Sequence, residues 1–134
     1  MGISGLNQIQ GSVWKILSND ATLKNIVTGI FDYVPSGHPF PFISIGEGTE
    51  EMFHTFSRFG RDISLNIHIF SQHEGFKQAQ VILDRVVSLL DYNDIEVDDF
   101  DVVYLRYANG QRIREPDGIT HHINATFEII MQEG

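Results

Sequence analysis

Six histidines, a surplus of carboxylates and no cysteine define the chemistry open to this sequence. Without a thiol there is no disulfide framework, no thiolate metal site and no cysteine nucleophile. His68 and His122 each sit in an alternating apolar and polar run. If those runs pair, the two imidazoles meet on the polar sheet face, as a two-histidine metal site or an acid–base couple. With a carboxylate such as Glu128 the pair would make the core of a small hydrolase or nuclease. A zinc site needs a third ligand, and histidines on a polar sheet face are ordinarily just hydrogen-bonded. His121 and His122 are neighbours on one run, so they point to opposite faces and do not share an ion.

Two further stretches invite a ligand. Gly46-Glu47-Gly48 follows an apolar run as a phosphate-cradling loop would, but no helix, Lys or full glycine fingerprint follows it, so a strand-end bulge is the expectation. Asp91, Asp94, Glu96, Asp98, Asp99 and Asp101 are a set of oxygen ligands for calcium. The segment lacks the glycine and the bidentate glutamate that an EF-hand loop requires, which leaves adventitious binding at most. No serine lies in a strand–turn–helix elbow. The expectation is a protein that is not an enzyme and holds no cofactor or metal.

Charge narrows the partners. A net charge of -9, from 9 basic and 18 acidic residues, argues against a duplex-wrapping or sequence-specific nucleic-acid binder, because phosphate affinity comes from clustered Lys and Arg. The basic residues are scattered, with Arg58 and Arg61 as one pair and Arg106, Arg112 and Arg114 as a second small group that could line a patch or form a solvated hairpin rim. No apolar run approaches the roughly 20 residues that span a bilayer, and the first ten residues lack signal-peptide character. The reading is a soluble protein without membrane partners, made where it works.

The elements that must position these residues follow from periodicity. Leu6, Ile9, Val13, Ile16 and Leu17 recur at helical spacing, and Asp20 caps a short second helix that stops at Gly29. Pro35, Gly37, Pro39 and Pro41 turn and then straighten the chain into a strand at Phe42 to Glu47. Thr49 to Gly60 has no clean period and reads as a long loop carrying Met52, Phe53, Phe56 and Phe59, either folded back on the domain or waiting for a partner. Arg61 to Gln72 is the clearest strand, with Ile63, Leu65, Ile67 and Ile69 on one face. A helix from Phe76 to Leu90 follows, then strands at Val102 to Arg114 and Ile119 to Met131 joined through Glu115-Pro116-Asp117-Gly118. At 134 residues this is the size of one domain, 1–134. The fold class is α+β: an antiparallel four-stranded sheet of two hairpins with helices packed on one face, in the order α-(α)-β-β-α-β-β.

The stretch PSGHPFPFISIGEGTEE, followed by GRDISLNIHIFSQ, a helix and a closing hairpin, resembles the siphophage tail-completion or tail-to-head joining proteins. Pro35, Gly37, Phe40, Pro41 and Phe42 match the family's strand entry, and Gly46, Glu47 and Gly48 match the strand's end. Ile63, Leu65, Ile67, Ile69, Phe70 and Ser71 match the second strand. The resemblance implies a virion protein of the head–tail interface, assembled in the host cytoplasm, that caps the tail tube as a homo-oligomeric ring, usually a hexamer. It implies contacts to the tail tube protein and the head–tail connector protein, and subunits that stay monomeric until the tube end templates them. A head-side connector or adaptor shares every feature used here, so that alternative stays open. On either reading the candidate contact residues are Glu50, Glu51, Met52, Phe53, His54, Phe56 and Arg58 in the apolar loop, with Arg112 and Arg114 on the last hairpin. Replacing Phe53 and Phe56 by Ser is then expected to spare the fold and stop head–tail joining.

Overall fold

The computed structural model describes residues 4–54 and 58–134. Its elements are α1 (Leu6–Ser18), α2 (Ala21–Ile26), β1 (Ile30–Phe31), β2 (Phe42–His54), β3 (Phe59–Ser71), α3 (Lys77–Leu90), β4 (Phe100–Arg114) and β5 (His121–Glu133). The class is α+β as expected, but the sheet has five strands, in the order β1-β2-β3-β5-β4. The extra strand is the two-residue β1, which pairs parallel with β2 at Ile43 and Ser44. The other three pairings are antiparallel.

One face of the sheet is a dry apolar layer. Ile63, Leu65, Ile67 and Ile69 of β3 and Ile123, Ala125, Phe127, Ile129 and Met131 of β5 meet Ile9, Val13 and Leu17 of α1, Leu23 of α2, and Ala79, Ile82, Leu83, Val86 and Leu90 of α3. The period of two in the strands and of 3.6 in the helices bring the apolar stripes together, and burying each of the side chains larger than Ala contributes about 1.5–3 kcal/mol. Asp20 caps α2 by accepting a hydrogen bond from the Leu23 N–H, and is held in turn by Arg85 of α3 at 2.6 Å. Among the described residues the other face of the sheet carries no helix, and presents Asp62, Ser64, Asn66, His68 and Phe70 beside His122, Asn124, Thr126, Glu128 and Ile130.

One further departure from expectation has a local cause. Of the segment expected to be a loop, Thr49–Gly60, the described residues are instead strand: Thr49 to His54 end β2 and Phe59 and Gly60 begin β3, paired from Thr49↔Ser64 to His54↔Phe59, while 55–57 lie outside the described residues. The alternation there is obscured because β2 takes one extra residue between Ile45 and Gly48, so inward and outward positions exchange after the bulge. The edge of the sheet is also partly closed. The outer edge of β4 is capped in its middle by the turn after α3, where the Tyr92 N–H donates to the Leu105 carbonyl and the Asp91 carboxylate accepts from the Tyr107 N–H, both at 2.7 Å. The capped stretch is a poor template for strand addition.

Candidate functional site

The outer hairpin is anchored by charges rather than by apolar periodicity. Arg61 is fully buried, with its guanidinium 2.7 Å from Glu133 and 3.6 Å from Glu50 and lying 5.4 Å over the ring of Phe100. Glu50 also accepts from the Gly5 N–H at 2.7 Å, which ties the start of α1 to β2. The Arg61 hydrogen bond holds the Glu133 carboxyl below the usual carboxylate range. Glu50 is therefore an internal tie and not an outward contact. Arg58 likewise turns inward, donating to the Glu133 carbonyl at 2.8 Å and pairing with Asp101.

Beyond that anchor the last described residues of β2 and the first of β3 expose apolar side chains. Met52 is 54% exposed and Phe59 42% exposed; with His54, whose ring meets Phe59 edge-on at 4.6 Å, they share one side of the ribbon. Glu51 is exposed on the other side. Phe53 folds back, its ring filling the space where a side chain on Gly60 would stand. Phe56 lies outside the described residues.

Arg112 and Arg114 stand at the opposite end of the sheet. Register carries Arg114 to His121 and on to Ser71, while Phe59 sits at the far end of the same strand β3, about 40 Å away at strand rise. Arg112 donates to Gln80 of α3 at 3.1 Å and covers the ring of Phe76 at 5.1 Å, so it is a clasp on α3. Arg114 is exposed. The sequence candidates thus divide between two ends of one sheet.

The histidine pair does form. His68 Nδ1 lies 2.7 Å from His122 Nε2 on the open face. The carboxylates beside it are Glu47, 2.5 Å from His68 Nε2, and Glu115, 2.8 Å from His122 Nδ1. Glu128 is not among them: it sits six residues along β5, about 20 Å away, bound to Arg106 at 2.7 Å and Tyr104 at 3.3 Å. The hydrogen bond from His68 holds the Glu47 carboxyl below its ordinary range, whereas burial holds His122 towards the neutral imidazole against the pull of Glu115. Among the described residues no group of three or more His, Asp and Glu side chains is placed to hold a metal ion. Glu47 and Glu115 escape sequence reasoning because one comes from a bulge and the other from a turn; the glycines around Glu47 are the only trace. Gly46 has a steric duty here, since a Cβ on it would lie 2.6 Å from the His68 ring.

Comparison with known proteins places this arrangement. The family model described as tail completion protein gp17 matches residues 11–132. The tail completion protein gp17 of Bacillus phage SPP1 is 27% identical over 121 residues, which covers 81% of this chain and 90% of that protein. The solved structure of bacteriophage SPP1 gp17 superposes with a TM-score of 0.62 at 25% identity, covering 92% of this chain and 88% of that one. A chain in the virion of a native gene transfer agent particle superposes with a TM-score of 0.88 at 21% identity, covering 98% and 99% of the two chains, a likeness of fold.

Proposed function

This chain belongs to the tail completion protein gp17 family, and on that premise we propose that it closes the end of a phage tail tube as a hexameric ring and joins that end to the head connector. Its place is the virion, as part of the phage tail. The role is structural: the subunit supplies surfaces to its own copies, to the tube and to the connector, and the histidine pair serves the fold.

The observation that carries this reading is the outer end of the paired strands β2 and β3. An exposed apolar pair, Met52 and Phe59, stands on a ribbon that Arg61, Glu50 and Glu133 tie to the body of the domain. Anchored apolar side chains lose little freedom on docking, which is the property of a contact surface. The sheet's length also supports the reading. It separates the apolar tip from the Arg114 end by the thickness of the subunit, so a ring of such subunits offers chemically different faces to two partners.

The test replaces the exposed pair and leaves the anchor alone. Met52→Ser combined with Phe59→Ser is expected to keep the monomer's thermal midpoint within a few degrees and to abolish binding to isolated tail tubes. Unchanged binding by the folded double variant would remove the tip from the contact surface.

A further inference from the structure

Four titratable groups lie in a row across the open face, Glu47, His68, His122 and Glu115, joined by three contacts of 2.5, 2.7 and 2.8 Å. Each contact is a hydrogen bond only if a proton lies in it. Two carboxylates and two neutral imidazoles bring two protons. Each ring then gives its one N–H to its own carboxylate, and the remaining nitrogens, His68 Nδ1 and His122 Nε2, face each other lone pair to lone pair at 2.7 Å. That contact is repulsive, so the observed spacing calls for one more proton.

We propose that Glu47, His68, His122 and Glu115 form a strap that holds three protons among four groups, tying the β2 bulge to the β4–β5 turn in neutral solution and releasing them when the third proton leaves. The third proton is shared between the rings, because Glu47 is held ionised by its hydrogen bond and Glu115 receives the N–H of His122. A fourth proton breaks the strap as well, since both rings would then point an N–H into the same gap. The strap is closed within a window of pH and open on both sides of it.

The surroundings isolate this row. The titratable groups facing the rings are Glu47 from β2 and Glu115 from the turn. Register sets Asn66, Phe70, Asn124, Gln111 and Ile113 around them from β3, β5 and β4. The Phe70 ring stacks on His122 at 4.4 Å, which fixes the plane of that imidazole. At its ends the row joins two irregular segments: Glu47 stands in the bulge, and Glu115 begins a turn also closed by the Gly118 N–H to the Glu115 carbonyl at 3.0 Å and by the Asp117 carboxylate, which accepts from the Ile119 and Thr120 N–H groups.

The experiment is long-range proton–nitrogen NMR on the histidine rings of the full chain. In neutral solution the expected result is three protonated and one bare nitrogen among the four ring nitrogens of His68 and His122. Two protonated and two bare would overturn the proposal. A second variant guards against a coincidence of tautomers: Glu47→Gln changes an exposed carboxylate and is expected to lower the pH at which the third proton leaves by about one unit, as loss of an adjacent opposite charge does. An unmoved step would equally overturn it. Amide exchange across residues 115–120 should quicken as the third proton leaves while that of β3 stays constant; exchange that ignores the step would show that the row ties nothing.

Discussion

The ring of His68 fills the space that a Cβ on Gly46 would need, its Cδ2 and Nε2 standing 2.6 and 2.7 Å from that position. Both ring nitrogens are engaged, so the ring has no easy retreat. Gly46→Ala is therefore expected to destabilise the chain by about 1–3 kcal/mol, the cost of overpacking a filled site. Chemical denaturation measures it, and a change below the error of that method would mean that the ring swings away freely.

Arg61 gives the largest single effect. With both acidic partners facing a guanidinium that is fully buried, Arg61→Met takes that buried charge away from Glu50 and Glu133. The expected loss is about 3 kcal/mol or more, typical of breaking a buried pair by removing one partner. Urea titration of the variant checks this, with early exchange of the outer hairpin amides as the structural signature.

Asp62 supplies a pH dependence of known sign. Burial first, and then the nearby charges of Glu128 and Glu51, raise its carboxyl above the usual range. The folded chain thus binds a proton there more tightly than the unfolded chain does. Stability from this group is full below the unfolded value and is lost as pH rises through the folded one. Asp62→Asn is expected to raise the thermal midpoint in neutral solution, with the gain shrinking to nothing as pH falls to about 4. A gain that persists undiminished in acid would assign the effect to packing instead.

Where a side chain's periodicity reported its burial, the sequence could be read. Ile63, Leu65, Ile67 and Ile69 alternate because one face of β3 is dry, and the meeting of His68 with His122 follows from the pairing of two such strands. The outer half of β2 was hidden because its inward residue, Glu50, is a charge satisfied by a buried arginine eleven positions on, a pairing that no window of hydropathy displays. β1 is two residues long and has no pattern to show. The carboxylate partners of the histidines were misread for a related reason: Glu128 shares their face and the strand of His122, but strand rise puts it far along, while Glu47 and Glu115 arrive from a bulge and a turn.

The central claim is that this subunit closes a tail tube as a ring. Sedimentation velocity of the purified chain over a wide concentration range, with isolated tail tubes in a parallel series, tests it most directly. The account predicts that the chain sediments with tube ends and adopts a ring there. A chain that stays monomeric at every concentration and leaves the tubes alone would contradict it and move the search to the head connector.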